Sequence, residues 1–130
     1  MSANTWEEAV RWLREQPEQA ALVRDAYFDD PLLDSAERFA ASAEWRETRH
    51  YLPQVGTALD VGAGRGIASY ALAKDGWQVT ALEPDPSDLV GAGAIRQLAQ
   101  DAGLTIHVVE EFGESLPFPD AAFDLVYARQ

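Results

Sequence analysis

The sequence contains no cysteine. Disulfides, thiolate metal sites and cysteine nucleophiles are therefore excluded, and nothing in the chain calls for an oxidising compartment. No apolar run reaches the roughly 18 residues that a membrane-crossing helix requires. No basic stretch followed by an apolar one marks a secretory leader. The expectation is a cytoplasmic protein without membrane attachment. Positive charge is also scarce. Ten Lys and Arg stand against 22 Asp and Glu, for a net charge of −12. Such a surface repels a phosphate backbone, so nucleic acid is not expected as a partner.

What is present suffices for one folded core. The chain has 130 residues and is 47% hydrophobic, an ordinary globular composition. It reads as two segments, 1–52 and 53–130. The first is helical throughout. Thr5 with Glu8 forms a capping-box pattern, and Trp6, Ala9, Val10 and Leu13 recur at helical spacing. Ala20, Val23, Ala26 and Tyr27 suggest a second amphipathic stretch, broken near Asp30-Pro31. Asp34 with Glu37 marks a third start, and Phe39, Ala40 and Ala43 carry a helical face to about Tyr51.

The pattern changes at residue 57. Thr57 to Val61 is a short apolar run leading into a glycine-rich turn. Ile67 to Lys74 is helical, and Asp75-Gly76 reads as its stop. Trp77 to Leu82 predicts a second strand. Ser87 is placed to cap a helix whose stripe is Leu89, Val90, Ala94, Ile95, Leu98 and Ala102, ended by Gly103. Leu104 to Val109 predicts a third strand and Phe123 to Ala128 a fourth, with a loop carrying Pro117 and Pro119 between them. Strands alternating with helices imply right-handed crossovers and a parallel sheet, an α/β fold of Rossmann-like type.

The chemistry concentrates where the first strand meets Asp60-Val61-Gly62-Ala63-Gly64-Arg65-Gly66. Ligands of open α/β sheets sit at the carboxyl ends of the strands. Glycines there let the backbone approach a ligand without Cβ obstruction. Twenty-one residues after Gly62, Glu83 ends the second strand, where a carboxylate can accept from both hydroxyls of a ribose. Loop and acid together point to a ligand containing adenosine. A dinucleotide loop has the spacing G-x-G-x-x-G. Here Gly66 comes one position early and Ile67 takes the dinucleotide position. Asp60 beside the loop would oppose a pyrophosphate and suit a ligand carrying an ammonium and a sulfonium.

The stretch ALDVGAGRG closely resembles motif I of the class I S-adenosylmethionine-dependent methyltransferases. The resemblance continues through ALEPDPSDLVGAGAI and EFGESLPFPDAAFDLVYARQ. It implies S-adenosyl-L-methionine as cofactor and a small-molecule methyl acceptor, the latter because the LPFPD-type loop is commonest in relatives of that kind. It implies cofactor contacts from Asp60, Gly62, Ala63, Gly64, Gly66, Glu83, Pro84, Glu111, Phe112, Gly113 and Ala128. Pro84 and Asp85 would line the adenine side or shape the turn. The family's usual adenine-contacting acid aligns with Phe112, so Phe112 would flank the adenine or pack in the core, and Glu111 or a backbone carbonyl would accept from the exocyclic amine. Arg129 would hold a carboxylate or face solvent. Arg46 or Arg49 would reach the methionine carboxylate, through a helical lid formed by residues 1–52, or both would simply face solvent. No catalytic side chain and no metal site are implied.

The family's sheet has seven strands in the order 3-2-1-4-5-7-6, of which four match here. The expectation is a fragment with strand order 3-2-1-4. Its fourth strand would be an open edge, prone to self-association, with Val126 under-packed. Two other readings stand beside this one. One is a non-catalytic or degenerate S-adenosylmethionine-binding module. The other is a nicotinamide-dependent Rossmann oxidoreductase, which Ile67 and Asp60 disfavour.

Overall fold

A computed structural model describes residues 8–9, 31–114, 117–119 and 121–128. The helical expectations at Thr5 to Tyr27 lie almost wholly outside these residues, as do Leu116 and Asp120 of the proline loop and Arg129. The described elements are α1 (Leu32–Ala40), α2 (Ala43–Arg49), β1 (Thr57–Val61), α3 (Ile67–Lys74), β2 (Gln78–Leu82), α4 (Ala92–Ala102), β3 (Ile106–Val109) and β4 (Leu125–Ala128). The strands form one sheet in the order β3-β2-β1-β4, and every pairing is parallel. This is the expected Rossmann-like order.

Period-two alternation assigns each strand residue to a face. Ala58, Val79, Ile106, Leu125 and Tyr127 share one face and pack with Leu72 and Trp77. The same cluster takes in Phe39 of α1 and Trp45 of α2, so these helices lie in the α3 layer. Ala36, Tyr70 and Leu98 pack together and bring α4 into that layer too. On the opposite face Leu59 is 1% exposed, whereas Val126 is 59% exposed. Among the described residues no strand pairs with the outer edge of β4.

Helices α3 and α4 end in the same way. Trp77 N–H donates to the Leu72 carbonyl, and Leu104 N–H to the Ala99 carbonyl, each at the distance of a five-residue return. The turn in each case is made by a left-handed glycine, Gly76 (φ +102°) or Gly103 (φ +68°). Both stops match the sequence expectation. This closure also explains why β3 starts at Ile106 and not at Leu104, which is spent on ending α4.

Three expectations need correction. The helix expected to run from Asp34 to about Tyr51 is two helices. The Ser42 hydroxyl accepts from the Trp45 N–H (3.1 Å) and donates to the Phe39 carbonyl (2.6 Å), so it ends α1 and starts α2. Ser87 does not cap α4. Its hydroxyl accepts from the N–H groups of Leu89 (3.0 Å) and Val90 (3.1 Å), forming a separate turn, and α4 begins at Ala92. Finally, β4 begins at Leu125. Phe123 packs edge-on against Phe118, their centroids 5.1 Å apart, and stays in the loop.

Asp124 clasps the start of β4 to the start of β1. Its Oδ2 accepts from the Thr57 N–H (2.9 Å) and Oγ1 (3.2 Å), and its own N–H donates to the Thr57 carbonyl (3.0 Å). The Phe-Asp pair of the sequence is thus architectural at this position.

Candidate functional site

β1 and β2 end together, with Val61 opposite Leu82. The chain leaves β1 through Gly62, Gly64 and Gly66, all left-handed at φ +65°, +61° and +88°. At Gly66 a Cβ would come within 3.0 Å of Ile95, so this residue carries the close packing of α3 on α4. At Gly64 a Cβ would meet nothing within 4 Å. The loop backbone faces open space there and at Gly62, leaving room for a ligand to approach it closely.

The loop is tied at several points. Ala63 N–H donates to the Leu82 carbonyl (3.0 Å), and Gly66 N–H to the Ala63 carbonyl (3.0 Å). Glu83, the residue after β2, supplies the strongest tie. Its Oε1 accepts from the Gly64 N–H (2.8 Å) and its Oε2 from the Asp85 N–H (2.9 Å). Glu83 is 9% exposed. Two charge-assisted hydrogen bonds hold its carboxylate in a single orientation. Each oxygen has a second lone pair available, so the group can still take two hydroxyl donors.

Asp60 lies deeper. It is 2% exposed, and its Oδ2 accepts from the Ser69 hydroxyl of α3 at 2.7 Å. Its carboxylate therefore sits under the loop, against the first turn of α3, where the helix dipole favours negative charge. Asp85 shapes the turn after Pro84. Its Oδ1 accepts from the Ser87 N–H (2.9 Å) and its carbonyl from the Ala92 N–H (2.7 Å).

The β3 end completes the rim. Glu83 N–H donates to the Val109 carbonyl at 2.9 Å. A Cβ on Gly113 would come within 3.0 Å of Val61, so the turn beyond β3 rests on the end of β1. Phe112 is 66% exposed, and Glu111 is exposed beside it. Phe112 is thus not a core residue in this structure. Ala128 pairs with Val61 at the same end of the sheet. Eleven residues singled out in the sequence therefore gather at or under one rim.

Arg49 does not join them. Its guanidinium pairs with Asp75 at 2.9 Å, and Asp75 ends α3 at the opposite end of the sheet. The same carboxylate accepts from the Trp45 indole (2.9 Å). The suggested reach of Arg49 to a methionine carboxylate is corrected to this structural pairing. A cavity of about 560 Å³ lies at the amino ends of the strands, lined in part by Trp77, Thr80, His107 and Phe123, and none of the rim residues borders it. Among the described residues no group of three or more His, Asp and Glu could hold a metal ion, and no helix is long and apolar enough to cross a membrane.

Sequence reasoning missed Ser69. The available signal was a small hydroxyl residue among the aliphatic and aromatic side chains of Ile67 to Leu72, nine positions after Asp60.

A parallel α/β sheet with a glycine loop tied to an acid at the end of the next strand defines a nucleoside-binding domain. A methyltransferase-domain family pattern matches residues 59–130, and the chain belongs to the class I S-adenosylmethionine-dependent methyltransferase family. It is 33% identical over 100 residues to an uncharacterised methyltransferase of Mycobacterium sp. (strain JLS), covering 77% of this chain and 36% of that protein. It is 31% identical over 134 residues to a ubiquinone biosynthesis O-methyltransferase of Methylobacterium sp. (strain 4-46), covering 100% of this chain and 47% of that one. The chain thus spans less than half the length of these curated relatives. Magnesium protoporphyrin IX methyltransferase of Synechocystis PCC 6803, solved with bound SAM, shares the fold with a TM-score of 0.53 at 18% identity, over 98% of this chain and 63% of that one.

Proposed function

We propose that this chain binds S-adenosylmethionine at the carboxyl ends of β1 and β2 and serves a methyltransferase with a small-molecule acceptor. The observation that carries this reading is the Glu83 carboxylate, locked to the Gly64 N–H beside loop backbone that faces open space. Family membership supports the cofactor. The ubiquinone-pathway relative supports a small acceptor.

The residues fit this ligand in kind. Glu83 takes the ribose hydroxyls. Gly62, Ala63, Gly64 and Gly66 bring the backbone close to it. Pro84, Glu111, Phe112 and Gly113 border the adenine, with the exposed ring of Phe112 offering a face for stacking. Asp60 contributes negative charge beneath the loop, opposite the ligand's ammonium and sulfonium. Ala128 lies on the side toward the acceptor. When bound, S-adenosylmethionine supplies a methyl group already activated on sulfur. The chain's part is to orient that donor for in-line attack. Residues 1–52 are read as a helical cap and 53–130 as the cofactor-binding domain, with α2 anchoring the cap on the sheet through Trp45. The setting is read as cytoplasmic.

Calorimetry with S-adenosylhomocysteine and NAD side by side tests the assignment. We expect binding of the first and none of the second; the reverse would sink it. Gly64→Val adds a side chain at φ +61°, with a backbone cost of about 1–2 kcal/mol. It also fills the open space at the loop. Binding of S-adenosylhomocysteine should drop beyond detection while the melting transition survives.

The outer edge of β4, where Val126 is 59% exposed, is read as a point of self-association. Sedimentation should show mass rising with concentration; a monomer at every concentration removes that reading.

A further inference from the structure

We propose that Ser69 is a positioning residue for cofactor binding. Its hydroxyl holds the Asp60 carboxylate beneath the glycine loop, so that this charge faces the ammonium end of the ligand. The inference rests on the cofactor assignment above and adds to it a residue that does not touch the ligand.

Ser69 is the third residue of α3 and is fully buried, as are Ala71 and Leu72, with Ala68 and Tyr70 buried beside it. A hydroxyl in such surroundings costs stability unless it is bonded. In a helix it would ordinarily turn back to the carbonyl four residues earlier. A serine hydroxyl has one proton to donate. Here that proton goes to Asp60 Oδ2, at 2.7 Å, across the gap between α3 and β1.

Asp60 is 2% exposed and lies two residues before Gly62. A carboxylate in these low-dielectric surroundings acts over a longer range than one in water. Its effect on the ligand therefore depends on where its oxygens are held. Ser69 and Asp60 close the base of the loop from α3, while Glu83 ties its middle from β2. The two anchors serve different parts of the ligand. Glu83 faces the ribose, and Asp60 acts on the amino-acid end.

That division supplies the test. S-adenosylhomocysteine carries both the ribose and the ammonium. 5′-Methylthioadenosine carries the ribose and adenine without the amino acid. Titration of the full chain by calorimetry should show Ser69→Ala weakening S-adenosylhomocysteine about tenfold, the scale of one hydrogen bond to a charged group. The loss for 5′-methylthioadenosine should stay under about twofold on the same argument. Ser69→Cys, which keeps the volume and a weak donor, should fall between wild type and Ala for the first ligand only. It carries the test if Ser69→Ala does not fold. Equal losses for both ligands would overturn the inference, because Ser69 would then support the loop as a whole. Unchanged affinity for both would overturn it as well. If the unaltered chain binds neither ligand, the cofactor assignment itself fails, and the inference with it.

Discussion

Glu83→Gln is expected to weaken S-adenosylhomocysteine binding about 100-fold. Glutamine keeps the length and shape of glutamate but has one oxygen where glutamate has two. In this structure both oxygens are in use, one by the Gly64 N–H and the other by the Asp85 N–H. The amide must turn its NH2 toward one of these donors, leaving that N–H without an acceptor at a half-buried position that a bound ligand would cover. An unmet buried donor costs about 1–3 kcal/mol. The ribose loses a charged acceptor at the same time, worth about 1.5–3 kcal/mol. The two together come to about 2.5–6 kcal/mol, the scale of the roughly 2.7 kcal/mol that a hundredfold change in affinity requires. Calorimetry measures the affinity, and the melting temperature without ligand reports the loop contribution separately. A variant that binds like the wild type would remove Glu83 from the site.

Trp45→Ala carries the largest expected effect on stability. Trp45 is completely buried, with ring centroids 5.7 Å from Phe39 and 6.1 Å from Tyr127. It fastens α2 to α3 and to the β4 side of the sheet at once. Truncating a buried tryptophan costs about 3–5 kcal/mol through lost transfer energy and the cavity left behind. Loss of the indole N–H to Asp75 adds a smaller amount, since Arg49 still pairs with that carboxylate. Against a typical stability of about 5–15 kcal/mol this is severe. Thermal unfolding should shift down by roughly 10–20 °C for a chain of this size. Trp45→Phe should recover most of the shift. A shift of only a degree or two for Trp45→Ala would show that α2 is not docked as described.

The elements between 57 and 128 were largely legible because their signals are local. Short apolar runs, left-handed glycines at helix ends and strands alternating with helices leave few arrangements open, and the observed order β3-β2-β1-β4 was expected. Errors fell where a side chain chooses between backbone partners. Ser42 splits a helix and Ser87 builds a turn ahead of one, and each could equally have served the continuous helix its neighbours suggested. Arg49 stood between two readings, cofactor contact and solvent, for a related reason. Its distance along the chain from the glycine loop says nothing about which end of the sheet α2 places it at.

The sequence by itself determined the family and the cofactor class, because the spacing of Asp60, three glycines and Glu83 reflects backbone geometry that few other residues could satisfy. The tertiary structure decided how each acid serves. Both are carboxylates in the same stretch of chain, and both belong to the motif. Glu83 holds the rim because Gly64 and Asp85 meet it there, whereas Asp60 is drawn under the loop by Ser69. Those partners are set by the packing of α3 on β1 and of the loop on β2, and such contacts between separate segments have no trace in the spacing of one motif.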